Sequence, residues 1–102
     1  MGINIPEEQH DKAIIMAASN EVKLSGEIDQ RNPAEYLNDF FNKVITQMAQ
    51  EVVVDVRQLY YINSSGIRCL INFIMHRKPE TKILFKTNPS RLWQKQSMKV
   101  IR

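Results

Sequence analysis

Between Val52 and Met75 the chain changes its hydrophobic period once, and that change constrains most of what it can fold into. Val52-Val53-Val54-Asp55-Val56 and then Leu59-Tyr60-Tyr61-Ile62 form a strand-like run. From Ile67 onward the apolar residues Ile67, Leu70, Ile71, Ile74 and Met75 recur at helical spacing. Asn63-Ser64-Ser65-Gly66 lies between the two patterns, with Asn63 as the helix N-cap. Two hydroxyls and a glycine therefore sit where a strand hands over to a helix. Free backbone N–H groups and the positive end of the helix dipole meet there, which suits an anion or an attached phosphate. Ser64 is read as a modifiable or partner-contacting residue at that junction.

The rest of the chain supplies elements around this one. Residues 1–11 are expected to form a flexible arm or a short edge strand. Lys12–Ala18 is a short apolar run, Ser19-Asn20 a turn signal, and Val22–Ile28 alternates apolar and polar residues, so a hairpin is expected. Gly26 interrupts the second strand and marks a bulge or a close backbone approach. Asn32-Pro33-Ala34-Glu35 starts a helix that should run to about Gln50. Leu37, Phe40, Phe41, Val44, Ile45 and Met48 form its apolar face.

The second helix should run from the Asn63 cap to about Arg77. On a regular helix Ile67, Leu70, Ile71 and Ile74 point inward, Ser65, Arg68, Cys69, Asn72 and His76 point outward, and Phe73 sits on the flank. Lys82–Lys86 reads as a further strand. Asn88-Pro89 opens a third helix to about Met98, with Leu92 and Trp93 as anchors, and Lys99–Arg102 fraying. Strands separated by helices pair in parallel through right-handed crossovers, whereas the hairpin is antiparallel. The expectation is a single α/β domain over residues 1–102, with a mixed four- or five-stranded sheet and its helices mainly on one face.

Composition excludes more than it identifies. No apolar run approaches the ~20 residues that cross a bilayer, and no signal-peptide pattern opens the chain. The single cysteine, Cys69, rules out an internal disulfide and fits a reducing cytosol. Residues 1–50 carry four Lys/Arg and eight Asp/Glu, while residues 51–102 carry ten and three. The basic half lacks the interleaved aromatics of a single-strand binder and is read as a solvated surface, with no nucleic acid as partner. The two histidines, His10 and His76, make no zinc set with one cysteine. His76 lies about 18 Å along the helix from Ser64 and cannot serve as its base. No Walker-type loop is present. No cofactor, metal or catalytic residue is expected, and Glu27 and Asp29 are taken as exposed charges at a loop end.

Leu24-Ser25-Gly26-Glu27-Ile28-Asp29, the Val52–Val56 strand and Ile62-Asn63-Ser64-Ser65-Gly66 with the helix after it together resemble the STAS domain. That domain is shared by bacterial anti-sigma factor antagonists and the cytoplasmic tails of sulfate transporters, and the resemblance covers residues 12 to 98. In the antagonist branch the pattern is Asp-Ser-Ser-Gly, and its first serine is phosphorylated by a partner anti-sigma kinase. The resemblance implies a cytoplasmic regulatory switch in transcription control rather than an enzyme. It would bind its partner when unphosphorylated and release it when phosphorylated on Ser64. The implied partners are an anti-sigma factor that is a serine kinase of the histidine-kinase-like ATPase fold, and a serine phosphatase. Asn63, Ser65, Gly66, Arg68 and Cys69 would shape the docking surface, and Asp29 would line the same end of the sheet as Ser64.

This chain departs from the pattern at Asn63, which stands where aspartate is usual. The departure keeps a second reading open, an unphosphorylated scaffold or sensor subunit of a larger signalling assembly. Arg68, one turn after Ser64, could contact a phosphate there or be a plain exposed helix arginine. Cys69 and Phe73 could be covered by a neighbouring loop or could anchor a partner.

Overall fold

The hairpin and crossover elements assemble into one mixed sheet in the computed structural model, which describes residues 2–47 and 50–88. The strands are β1 (Ile3–His10), β2 (Ala13–Ser19), β3 (Glu21–Ile28), β4 (Glu51–Asp55), β5 (Leu59–Ile62) and β6 (Lys82–Lys86). The helices are α1 (Ala34–Gln47) and α2 (Ser64–Met75). The sheet runs β1-β2-β3-β4-β6, with β5 paired to β3. β1–β2 and β2–β3 are antiparallel, and the pairs made by β4, β5 and β6 are parallel.

The sheet is mixed, as expected, but it has six strands rather than four or five. Two local features account for the difference. The N-terminal segment is a full edge strand, protected by exposed Pro6 and by a register shift between Ile5 and Glu8. The run from Val52 to Ile62 is two strands in line along one side of β3. Glu21–Lys23 pair with β4, and Gly26–Ile28 pair with β5.

Asp55 and Arg57 shape the break between those two strands. Asp55 is a buried carboxylate that accepts hydrogen bonds from the Arg57 backbone N–H (3.1 Å), Nε (3.0 Å) and Nη2 (2.9 Å). These bonds hold its carboxyl below the usual carboxylate range. Gly26 answers on the other side. Its φ is +81°, its N–H donates to the Gln58 carbonyl at 2.9 Å, and an added Cβ would meet the Lys12 carbonyl oxygen at 1.9 Å. The bulge and the close approach expected of Gly26 both occur here.

Alternation places one face of the sheet in the core. Ile5, Ala17, Val22, Val54 and Phe85 form one cross-strand row on that face. Leu37, Phe40, Phe41 and Val44 of α1 pack onto the core, as do Leu70 and Phe73 of α2. Both helices therefore cover the same face. α1 is described as far as Gln47, and Gln50, the expected end, already lies in the bend before β4; Met48 lies outside the described residues. α2 ends at Met75 rather than Arg77. The Arg77 side chain instead donates to the carbonyls of Ile74 (2.7 Å) and Thr81 (3.2 Å), closing the helix C-terminus. Past its expected cap, Asn88, the expected third helix to about Met98, with Leu92 and Trp93, lies outside the described residues.

The orientation of α2 corrects the sequence reading. Cys69 and Phe73, expected on the outward face and the flank, are buried at 5% and 2% exposure. Ile67, Ile71 and Ile74, expected inward, are half-buried. The cause is the neighbouring helix. α2 packs beside α1 as well as over the sheet, and the Phe41 and Phe73 rings stack with centroids 4.7 Å apart. That lateral contact turns the buried stripe toward Cys69 and Phe73. Arg68, Asn72 and His76 are exposed as expected, and Ser65 is half-buried.

Candidate functional site

The end of the sheet where β3 and β5 finish, with Ile28 opposite Ile62, gathers three connections. These are the β1–β2 turn at Asp11-Lys12, the β3–α1 connection from Asp29 to Pro33, and the β5–α2 junction. Candidate sites at the carboxyl ends of parallel strands are a general property of α/β sheets.

Asn63 fixes the junction. It is extended (φ −82°, ψ 176°), and its Oδ1 accepts a hydrogen bond from the Gly66 N–H at 2.8 Å. Its carbonyl accepts from the Ile67 N–H at 3.0 Å, and its own N–H donates to the Ile28 carbonyl at 2.9 Å. Its Nδ2 donates to the Gln30 carbonyl at 2.7 Å. The amide orientation follows from these partners, since Oδ1 faces a donor and Nδ2 an acceptor. Asparagine thus does two things here. It caps α2, as aspartate would, and it ties the cap to the β3–α1 connection, which an ionised carboxylate cannot do.

This network consumes the Gly66 and Ile67 amides. The Ser64 and Ser65 amides keep no hydrogen-bond partner among the described residues and form the open first turn of α2. Ser64 is exposed, and Arg68, exposed one turn later, makes no ion pair with a described residue. An exposed hydroxyl at a helix start with two open amides, with Arg68 one turn on, is an arrangement that suits an anion.

Gly66 is buried rather than part of a surface. A Cβ there would meet Ile62 Cγ1 at 2.6 Å and Ile28 Cγ2 at 3.1 Å. Its role is to let α2 start close against β3 and β5. Cys69 lies beneath the surface, where burial pushes its thiol pKa up against the opposing influence of Arg68. With Phe41, Asn42, Asn72, Phe73 and His76 it lines a groove of about 300 Å³ between α1 and α2. Asp29 reaches the expected end of the sheet and pairs with Lys12 at 3.6 Å.

Gln30 and Tyr36, which the sequence did not single out, complete this end together with His10, which was weighed there only as a metal ligand. Gln30 donates through Nε2 to the His10 carbonyl at 3.0 Å and accepts through Oε1 from the Tyr36 hydroxyl. The Tyr36 ring stacks on the His10 imidazole, centroids 4.0 Å apart and 9° from parallel. His10 Nε2 lies 2.9 Å from a Glu8 carboxylate oxygen. Burial, then the charge of Asp29, pushes the Tyr36 hydroxyl up to about 12, so it remains a donor at neutral pH. No signal local to Gln30, Tyr36 or His10 could have found this cluster, because its members come from β1, a connection and α1. His76 is far from it, at the C-cap of α2.

No helix among the described residues is long and apolar enough to cross a membrane, and no described cluster of His, Cys, Asp and Glu could hold a metal ion. No family model matches the chain, and no curated protein matches it in sequence. In structure it is similar to the crystal structure of an anti-sigma factor antagonist from Mycobacterium paratuberculosis. The two are 18% identical, the match covers 95% of this chain and 77% of that one, and the TM-score is 0.65. The chain therefore has the α/β fold of an anti-sigma factor antagonist, with Ser64 exposed at the start of its second helix.

Proposed function

We propose that this chain is a regulatory protein-binding domain whose exchange of partners is controlled at Ser64. The observation that carries the reading is the exposed Ser64 at an open helix start, in a fold that matches an anti-sigma factor antagonist. In this reading the unphosphorylated domain binds an anti-sigma factor that is also a serine kinase of the histidine-kinase-like ATPase fold. Phosphorylation of Ser64 releases it, and a serine phosphatase restores binding. The setting is the bacterial cytoplasm and transcription control. Asn63, Ser65 and Arg68 shape the contact surface, while Gly66 and Cys69 support it from beneath.

The energetics favour a switch at the interface over a refolding switch. A phosphate adds about −1.5 to −2 charges. Its interaction with the α2 N-terminus stabilises the domain by only ~0.3–1 kcal/mol. The same charge placed against a packed partner surface opposes binding by repulsion and steric exclusion. The domain needs no catalytic role for this, and neither described histidine hydrogen-bonds to Ser64.

The test is phosphopeptide mass spectrometry on protein isolated from its own cells. Cleavage after Arg57 and Arg68 releases Gln58–Arg68, which contains both serines. Phosphate on Ser64 in a fraction that varies with growth conditions is expected. Equal binding of a verified partner by phosphorylated and unphosphorylated protein would sink the proposal. A second reading draws on the Asn63 side chain, whose amide is engaged at both ends by the fold. It is an unphosphorylated scaffold or sensor subunit, and a stable complex insensitive to ATP would favour it.

A further inference from the structure

We propose that Gln30 is a positioning residue for the Ser64 junction, making the presentation of Ser64 depend on how β1 and α1 are seated. Only the functional consequence rests on the reading of Ser64 given above. The structural part stands on the hydrogen bonds themselves.

Gln30 lies in the β3–α1 connection, where no ladder of strand or helix bonds holds its backbone. Two side-chain bonds hold it instead. Nε2 donates to the His10 carbonyl at the end of β1, and Oε1 accepts from the Tyr36 hydroxyl on α1. Its carbonyl is thereby placed 2.7 Å from Asn63 Nδ2, and Asn63 Oδ1 in turn receives the Gly66 N–H. The chain of contacts runs from β1 and α1 through Gln30 and Asn63 to the first turn of α2. All four of these hydrogen bonds are partly shielded from water, where such bonds are stronger. The His10–Tyr36 stack fixes where the Tyr36 hydroxyl is delivered. A shift of β1 relative to α1 would move the Gln30 carbonyl, loosen Asn63 and change the angle at which Ser64 is offered.

The experiment is amide hydrogen exchange by NMR on the 102-residue chain, comparing wild type with Gln30→Ala, Gln30→Glu and Tyr36→Phe. The Gly66 amide reports the junction, and the Val54 amide, in the middle of the sheet, reports global stability. In Gln30→Ala the Gly66 exchange rate should rise about tenfold, the loss expected for about one hydrogen bond, with Val54 unchanged. Gln30→Glu keeps the acceptor for Tyr36 but loses the donor to His10, so it should fall between wild type and Gln30→Ala. Tyr36→Phe should also raise the Gly66 rate. Gly66 exchange at the wild-type rate in these variants would overturn the proposal. So would equal acceleration of Gly66 and Val54, since that describes a merely structural residue. These readouts involve neither phosphate nor partner, so an unmodified Ser64 would defeat the switch reading and leave this inference standing.

Discussion

Replacing Asn63 by aspartate restores the residue usual in the pattern this chain resembles, and the structure predicts that it destabilises this domain. The carboxylate keeps one partner and gains something there. It still accepts from the Gly66 N–H, now 2.8 Å away, and its charge at the helix N-terminus is worth ~0.3–1 kcal/mol. On its other side it loses the donor to the Gln30 carbonyl and sets an oxygen where Nδ2 stood 2.7 Å from that oxygen. Leaving a part-buried carbonyl unsatisfied costs about 1–3 kcal/mol, and the two oxygens also repel. The loss exceeds the gain, so Asn63→Asp should cost about 1–2 kcal/mol. Asn63→Ser is the control, since it retains a capping oxygen and removes the Gln30 tether without adding charge. Urea unfolding at neutral pH, followed by far-UV circular dichroism, measures both variants. Both should fall below wild type. A variant Asn63→Asp as stable as wild type would refute the reasoning, because it would mean that the helix dipole outweighs the tether.

Other substitutions probe the framework around the site. Gly26→Ala should cost roughly 2–4 kcal/mol, because the backbone is at φ +81° and the new Cβ would lie 1.9 Å from the Lys12 carbonyl oxygen; thermal unfolding reads this directly. Asp55→Asn should be less stable than wild type at neutral pH. The folded carboxyl of Asp55 is held low by Arg57, so its contribution is present above the ordinary carboxylate value of ~3.9 and is lost as pH falls through the folded value. The gap between wild type and Asp55→Asn should therefore close on acidification, and a gap independent of pH would contradict the pairing. Cys69, buried and with a raised thiol pKa, should react slowly with a thiol reagent in the native protein and quickly in denaturant; fast native labelling would contradict its burial.

Features that depend on near neighbours in the chain were legible without the structure. The Ser19-Asn20 turn joins β2 to β3, with Ser19 at φ +57°. The Asn63 cap, the Gly26 irregularity and the apolar face of α1 from Leu37 to Ile45 each depend on a few adjacent residues, and each is found where it was read. The Val52–Ile62 run was legible as extended chain but not as two strands, because the break is made by Asp55 gripping Arg57 and by Gly26 on a strand some 30 residues earlier. The outward placement of Cys69 and Phe73 failed for a related reason. Helical periodicity finds the most apolar stripe, and α2 carries apolar residues over enough of its circumference that the position of α1 decides which of them are covered.

The amino-acid sequence by itself determined the alternation of elements and the strand-to-helix handover at Asn63-Ser64-Ser65-Gly66, because period, capping and turn chemistry act within a few residues. The tertiary structure alone decided what holds that handover in place. Gln30 meets Asn63 across 33 positions of sequence and His10 across 20, and hydrogen bonds of that span exist only after β1, β3 and α1 have packed. The same packing decides that Gly66 is a contact with Ile62 and Ile28 rather than surface. Local chemistry thus set where Ser64 is offered, and long-range packing set how firmly it is held.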